Sequence, residues 1–428
     1  MAASAYVTRF AKDDSTTTNA IQDIAIPFTP KACIVFSHGS PFTLKVNHYQ
    51  WSQGFSDGTN QCCSCITSDD GDAAGDTQHV YSNDSIYIRM NEASNDLIEE
   101  RATVTFSTDN IRFTWAVNNN QPTYINLIAF GGDDITNAKV NTVTVNRTGT
   151  GTANYTGLGF NPATSNSVLF TLTANKTSAS NTSATTASSC FGCAVSTSKR
   201  WAIANVMEDT ADPSDTWKVT ATDKCIYSLA ATDGTLAASA DFNGWITDGF
   251  TLDWLTNPGT TVLFSYLVIN GGTWDAGTLT APTTATNDVD YPVSVSSNTI
   301  RGLLMAGCGD TVNSTIGSHA LMTVGVADGT TQTHIVNLDV DNSATTDSGR
   351  QIGSFIARLF NSSIIIADVA TLDSFSTNNF RLDWTTKSAS AQLFGWVVVA
   401  DAPPADDDEA NGTMNFIADD NIGAARFG

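Results

Sequence analysis

A chain of 428 residues with 41% apolar side chains can fill two to four buried cores, at about 150 residues per domain. Its 20 Lys and Arg stand against 43 Asp and Glu, and the resulting net charge of −23 repels nucleic-acid backbones and anionic lipid. Only 15% of residues are charged, so Ser, Thr, Asn and Gly must make up most of the surface, and no apolar run reaches the ~18 residues of a membrane span.

The opening segment, Met1 to Phe10, lacks the charged start and apolar centre of a secretory signal, so the expectation is a chain made and folded in a cytoplasm. A first strand at Tyr6-Val-Thr leads through Ile26-Pro-Phe28-Thr-Pro30 into the apolar strand Ala32-Cys-Ile-Val-Phe36. The cysteine cluster Cys62-Cys63-Ser-Cys65 and the acidic loop Asp69, Asp70, Asp72, Asp76 follow. The segment Phe106-Ser-Thr-Asp-Asn-Ile-Arg-Phe-Thr-Trp115 comes next, where Ile111, Phe113 and Trp115 alternate with polar residues, the period-2 pattern of a half-buried strand. A polar turn and the strand Asn126-Leu-Ile-Ala-Phe130 close the unit at Gly131-Gly132.

The same series then recurs. Val143-Thr-Val leads to Gly159-Phe160-Asn-Pro162 and the strand Ser167-Val-Leu-Phe170; Cys190-Phe-Gly-Cys193 and the acidic loop Glu208, Asp209, Asp212, Asp215 follow. The copy ends with Trp245-Ile-Thr-Asp-Gly-Phe-Thr-Leu-Asp-Trp254, Tyr266-Leu-Val-Ile269 and Gly271-Gly272. A third copy runs from Thr278-Leu-Thr through Tyr291-Pro-Val-Ser-Val295 and Arg301-Gly-Leu-Leu-Met305 to Asp339, Asp341 and Asp347. It finishes with Phe375-Ser-Thr-Asn-Asn-Phe-Arg-Leu-Asp-Trp384 and Gly395-Trp-Val-Val-Val399. Asp109-Asn110, Asp248-Gly249 and Asn378-Asn379, before the alternating strands, are residue types that tolerate tight hairpin turns.

Three copies of some eight short strands each predict an all-β chain of three tandem jelly-roll-like sandwiches, at 1–133, 134–272 and 273–402; small barrels are the open alternative. Residues 173–189 carry no apolar anchor and are expected to be an exposed loop of the second copy. Residues 403–428 form an acidic Pro-Pro linker and a tail dotted with Met414, Phe416, Ile417, Ile422 and Phe427, expected to dock on a neighbouring subunit.

Candidate sites are few. Trp115, Trp254 and Trp384 keep phase with core residues and are expected in the structural core rather than as sugar-stacking platforms. The acidic residues Asp69, Asp70, Asp72, Asp76, Glu208, Asp209, Asp212, Asp215, Asp339, Asp341 and Asp347 could supply oxygens to calcium, but their spacing matches no EF-hand, and solvated turns fit an acidic chain better. The two cysteine clusters lie in different copies without the spacing of a zinc ribbon, so mostly free thiols and no metal are expected. His38, His48, His79, His319 and His334 accompany no hydrolase or metalloprotease motif. No cofactor and no catalytic residue is assigned, and the chain is not expected to be an enzyme.

The unit resembles a repeat of virion and appendage proteins of tailed bacteriophages, which opens on a Gly-Phe-x-Pro turn and closes on Asp-Gly-Phe-Thr-Leu-x-Trp-Thr-Thr and Tyr-Leu-x-x-Gly-Gly. The second copy carries this best, at Gly159–Pro162, Asp248–Trp254 and Tyr266–Gly272; the other copies depart at Asn110 and Asn379 and at the end of the third. The resemblance implies a virion location, on the head or attached to the tail, with other virion proteins and further copies in a trimer or ring as partners. A carbohydrate-binding adhesin taking a host-surface glycan is the alternative.

Overall fold

The computed structural model describes residues 3–401 except 41–42, 92–96, 146–148, 165, 175–178, 186, 231, 258, 260–261, 285–287 and 296–298. The fold is all-β: antiparallel strands form six sheets, broken only by a single 3-10 turn at Pro162–Thr164 among the described residues. No helix among them is long and apolar enough to cross a membrane.

The first eleven strands are β1 (Ala3–Ala11), β2 (Ala20–Ala25), β3 (Pro30–Ser37), β4 (Val46–Asn47), β5 (Tyr49–Ser56), β6 (Gln61–Ser68), β7 (Thr77–Ser82), β8 (Tyr87–Met90), β9 (Ile98–Ser107), β10 (Asn110–Val117) and β11 (Tyr124–Gly132). Nine of these strands and the short β8 build a sandwich. One sheet runs β1-β11-β3-β5-β6-β7 and the other β2-β10-β9-β8. The same two sheet orders recur over Ile135–Gly271 and over Thr273–Ala400. The sequence repeat therefore corresponds to a repeat of topology.

β4 belongs to neither sheet of its own repeat. It pairs with Ser348–Gly353, placing Asn47 opposite Gly349 at the edge of the third repeat's large sheet. In turn, Gly317–Ser318 of the third repeat pairs with Thr216–Ala221 of the second. Ser180–Thr185 of the second pairs with β7 of the first. The exchange is cyclic, and it makes each large sheet seven-stranded. It also corrects the expected loop at 173–189: residues 180–185 are a strand and Ala187–Ser196 begins the next. Backbone hydrogen bonds hold an added edge strand, so Ser-Asn-Thr-Ser-Ala-Thr needs no apolar side chain to sit there. Residues 403–428, the expected docking tail, lie outside the described residues.

The large sheets bury both faces. In β3, Cys33 and Val35 face a core shared with Phe113 and Trp115 inside the first sandwich. Ala32, Ile34 and Phe36 face a second core that draws residues from all three repeats, among them Phe55, Phe170, Phe191, Trp201, Trp274, Leu304 and Met322. Aromatic contacts cross the seams of this common core: Phe36–Phe191 at 5.7 Å and Phe130–Trp274 at 5.4 Å between ring centroids. The Trp201 indole N–H also donates to the Trp396 carbonyl at 2.9 Å. Unbroken apolar runs such as Ala32–Phe36 are what a strand buried on both faces requires, whereas the small sheets alternate because one face is wet. Gly54, Gly192 and Gly325 hold equivalent places mid-strand, where a Cβ would overlap the carbonyls of Ile86, Cys225 and Ile356.

Candidate functional site

The three acidic loops, after β6 in the first repeat and at the same place in the others, meet one another. Gly75 N–H donates to the Ala211 carbonyl at 2.8 Å, Asn342 N–H to Ser214 at 2.6 Å, and Gly71 N–H to Thr346 at 2.7 Å. One carboxylate per loop then reaches the first residue of the neighbouring repeat's strand. Asp209 Oδ1 accepts Thr77 N–H at 3.1 Å, Asp341 Oδ1 accepts Thr216 N–H at 3.0 Å, and Asp70 Oδ1 accepts Ser348 N–H at 2.7 Å. These three contacts are equivalent and run round the cycle. His48 and His319 sit at matching left-handed positions, φ 66° and 70°. Their Nδ1 atoms accept the N–H of Asp70 at 3.1 Å and of Asp341 at 2.9 Å, so both rings brace the loops.

Asp69, Asp72 and Asp76 offer carboxylate oxygens within 4.8 Å of one another, the one such group among the described residues. Burial, then the neighbouring Asp69 and Asp76, raise the Asp72 carboxyl above its usual range. Through one oxygen each, these carboxylates would supply three of the six to eight oxygens calcium takes. The other acidic candidates do not join them. Asp70, Asp209 and Asp341 cap strands, as above, and Glu208, Asp212, Asp215 and Asp347 form no such group. Asp339 ends a strand, fully enclosed, and burial pushes its carboxyl up to about 7.

The remaining candidates are structural in their surroundings. Trp115, Trp254 and Trp384 are buried at 0–1% exposure, and the indole N–H groups of Trp254 and Trp384 donate to Tyr155 and Tyr291 hydroxyls at 2.9 and 3.0 Å. All eight cysteines are buried and unbridged. Strand alternation sends Cys62 into the common core and Cys63 and Cys65 to the opposite face, so the cluster cannot converge on one ion. Burial raises the thiols, Cys62 and Cys65 to about 12 and Cys190 to about 11, which keeps them protonated and unreactive. His38, His79 and His334 are buried, and burial pushes His334 down to about 3.

The sequence reading missed a second set of clasps. Asp57 Oδ2 accepts Val140 N–H and Asp328 Oδ2 accepts Val7 N–H, both at 2.8 Å, each tying a turn to the first strand of another repeat. The signal was present as Asp57-Gly-Thr and Asp328-Gly-Thr at matching positions. At the third seam the turn has no Asp, and Lys199 instead pairs with Asp275 at 2.5 Å. Beside these contacts lie open clefts. One of about 730 Å³ is lined by Asn166, Lys199, Trp245, Thr273 and Ser294, and one of about 720 Å³ by Phe28, Lys31, Asp133 and Thr136.

No protein-family model matches the chain, and a search of curated proteins finds no match.

Proposed function

We propose that the chain is a non-enzymatic structural component of a tailed-phage virion, exposed on the head or attached to the tail. The observation that carries this reading is the cyclic strand exchange around one shared core. Its polar residues at the repeat contacts are spent on joining repeats: carboxylates cap strands, and His48 and His319 brace the loops. Such a build favours mechanical persistence over turnover. The repeat's resemblance to virion and appendage proteins supports the location. Three equivalent repeats in one chain suit a threefold position on a particle, with residues 403–428 as the segment that engages other virion subunits.

Quantitative mass spectrometry of purified particles tests the proposal. Hundreds of copies indicate a head protein and a few to a few dozen a tail or fibre; absence from particles refutes the reading. A chain lacking 403–428 should fold with unchanged melting but incorporate poorly, and normal incorporation removes the docking role from that segment.

The adhesin reading has one observation in its favour, the cleft that sets Trp245 beside Lys199 and Asn166. Against it, the exposed large apolar residues among those described are all aliphatic, Leu44, Leu97 and Ile365 among them. A glycan array decides: saturable binding that Trp245→Ala abolishes supports an adhesin.

A further inference from the structure

The three repeats serve as internal controls for one another, and one position differs in a telling way. In the first repeat Arg89 lies opposite Glu100 on paired strands; in the third, Leu359 lies opposite Asp368. The second repeat has Ala238 there. The carboxylate is buried both times, Glu100 at 0% and Asp368 at 1% exposure.

The first repeat neutralises its buried carboxylate. Lys12 Nζ lies 4.0 Å from Glu100 Oε1, with both side chains fully enclosed, and Arg89 Nη1 stands at 3.4 Å. The ammonium also donates to Asn118 Oδ1 and to the Asn119 carbonyl, each at 2.7 Å, and lies over the Trp115 ring at 5.6 Å.

The third repeat lacks both cations. Lys12 N–H donates to the Thr123 carbonyl and Ala281 N–H to the Gln392 carbonyl, both at 2.8 Å, which makes Ala281 the counterpart of Lys12. Leu359 replaces Arg89. Asp368 keeps one hydrogen bond, from Ser388 N–H to Oδ1 at 2.9 Å, while Oδ2 is buried without a partner. No Lys or Arg among the described residues forms an ion pair with it. In place of the lysine there is a cavity of about 240 Å³, whose walls include Asp368, Ser388, Gln392, Leu359 and Phe360 and also Lys218 of the second repeat, whose charge is set against the buried Asp310 rather than Asp368. Ser388 is the counterpart of Asn119, since Trp115 and Trp384 precede Thr123 and Gln392 by the same eight residues. The cavity thus lies where the first repeat holds its ammonium group.

We infer that this cavity in the third repeat binds a small primary ammonium group, free or at the end of a lysine side chain, with Asp368 as its counter-ion. A buried carboxylate without a cation costs several kcal/mol, and a paired one far less. Leu359 and Phe360 provide an apolar wall for the alkyl stem, and the Gln392 Oε1, also unpartnered, provides a further acceptor. Burial raises the Asp368 carboxyl above its usual range, and an ammonium group beside it would favour the charged form again.

Calorimetric titration of the full chain with n-butylammonium tests the inference, with n-butanol as the uncharged probe. Saturable binding of the amine and none of the alcohol is expected. Asp368→Asn should weaken amine binding at least about tenfold, a loss of about 1.4 kcal/mol. Ala281→Lys, which supplies the ammonium from within as the first repeat does, should abolish binding and raise Tm, so the inference survives even if Asp368→Asn fails to fold. Equal binding of amine and alcohol, no amine binding, or unchanged binding in both variants overturns it. A parallel titration with Nα-acetyl-lysine methylamide separates the sources: binding points to a partner's lysine, and its failure beside butylammonium binding points to a free amine.

Discussion

At the residue scale, side chains of one type take opposite roles according to what surrounds them. Trp384 is enclosed between the sheets of its sandwich and bonded to Tyr291, and Trp384→Ala should cost about 3–5 kcal/mol in urea unfolding. Asp339 and His334 make the pH dependence of stability a contest of two signs. Burial lifts the Asp339 carboxyl to about 7 from the ~3.9 of an unfolded chain. Between those values the folded protein holds a proton the unfolded one releases, so this group's contribution falls as pH rises from about 4 to about 7. His334, pushed down to about 3 from ~6.5, acts the other way: its contribution grows as pH rises through that window. Asp339→Asn removes only the first effect. Its Tm should exceed that of the parent at pH 8, and the gap should close by pH 4; a gap independent of pH would mean that Asp339 does not titrate as described.

At the scale of elements, the exchanged strands are short and polar, and their hold is in the backbone. Ala184 lies opposite His79 in the strand that the second repeat gives to the first. Ala184→Pro removes an N–H and bends that strand, so Tm should fall, whereas the exposed Thr182→Ala should leave it unchanged. Equal effects from the two substitutions would show that side chains, not the ladder, secure the strand. The carboxylate caps work beside this ladder. Asp209→Ala leaves Thr77 N–H without its acceptor and should cost about 1.5–3 kcal/mol, the range for a hydrogen bond to a charged group.

At the scale of the molecule, the common core binds the repeats into one cooperative structure. Phe170, Phe191 and Trp201 of the second repeat pack against residues of the first and third. Residues 134–272 alone would expose that face, so the isolated repeat should be unfolded or self-associated in sedimentation velocity. The whole chain should melt in a single calorimetric transition whose van't Hoff and calorimetric enthalpies agree. A monomeric, stable isolated repeat, or three separate melting steps, would contradict the shared core.

Period-2 alternation at Ile111-Phe113-Trp115 and its two copies was enough to define β structure, the repeat and its buried tryptophans, because those properties depend on neighbours within one strand or hairpin. The apolar runs Ala32–Phe36, Ser167–Phe170 and Arg301–Met305 also carried the mark of burial on both faces, without saying what lies beyond the second face. Strand exchange left almost no trace in the side chains: Ser180–Thr185 reads as a loop because an edge strand is held by main-chain groups that every residue possesses. The acidic loops read as solvated turns because the sequence cannot place Asp70, Asp209 and Asp341 beside N–H groups of strands 125 to 278 residues away. Local pattern determined which residues fold into sandwiches; only the closing of the cycle decided which carboxylates became clasps and which, like Asp368, were left buried without a cation.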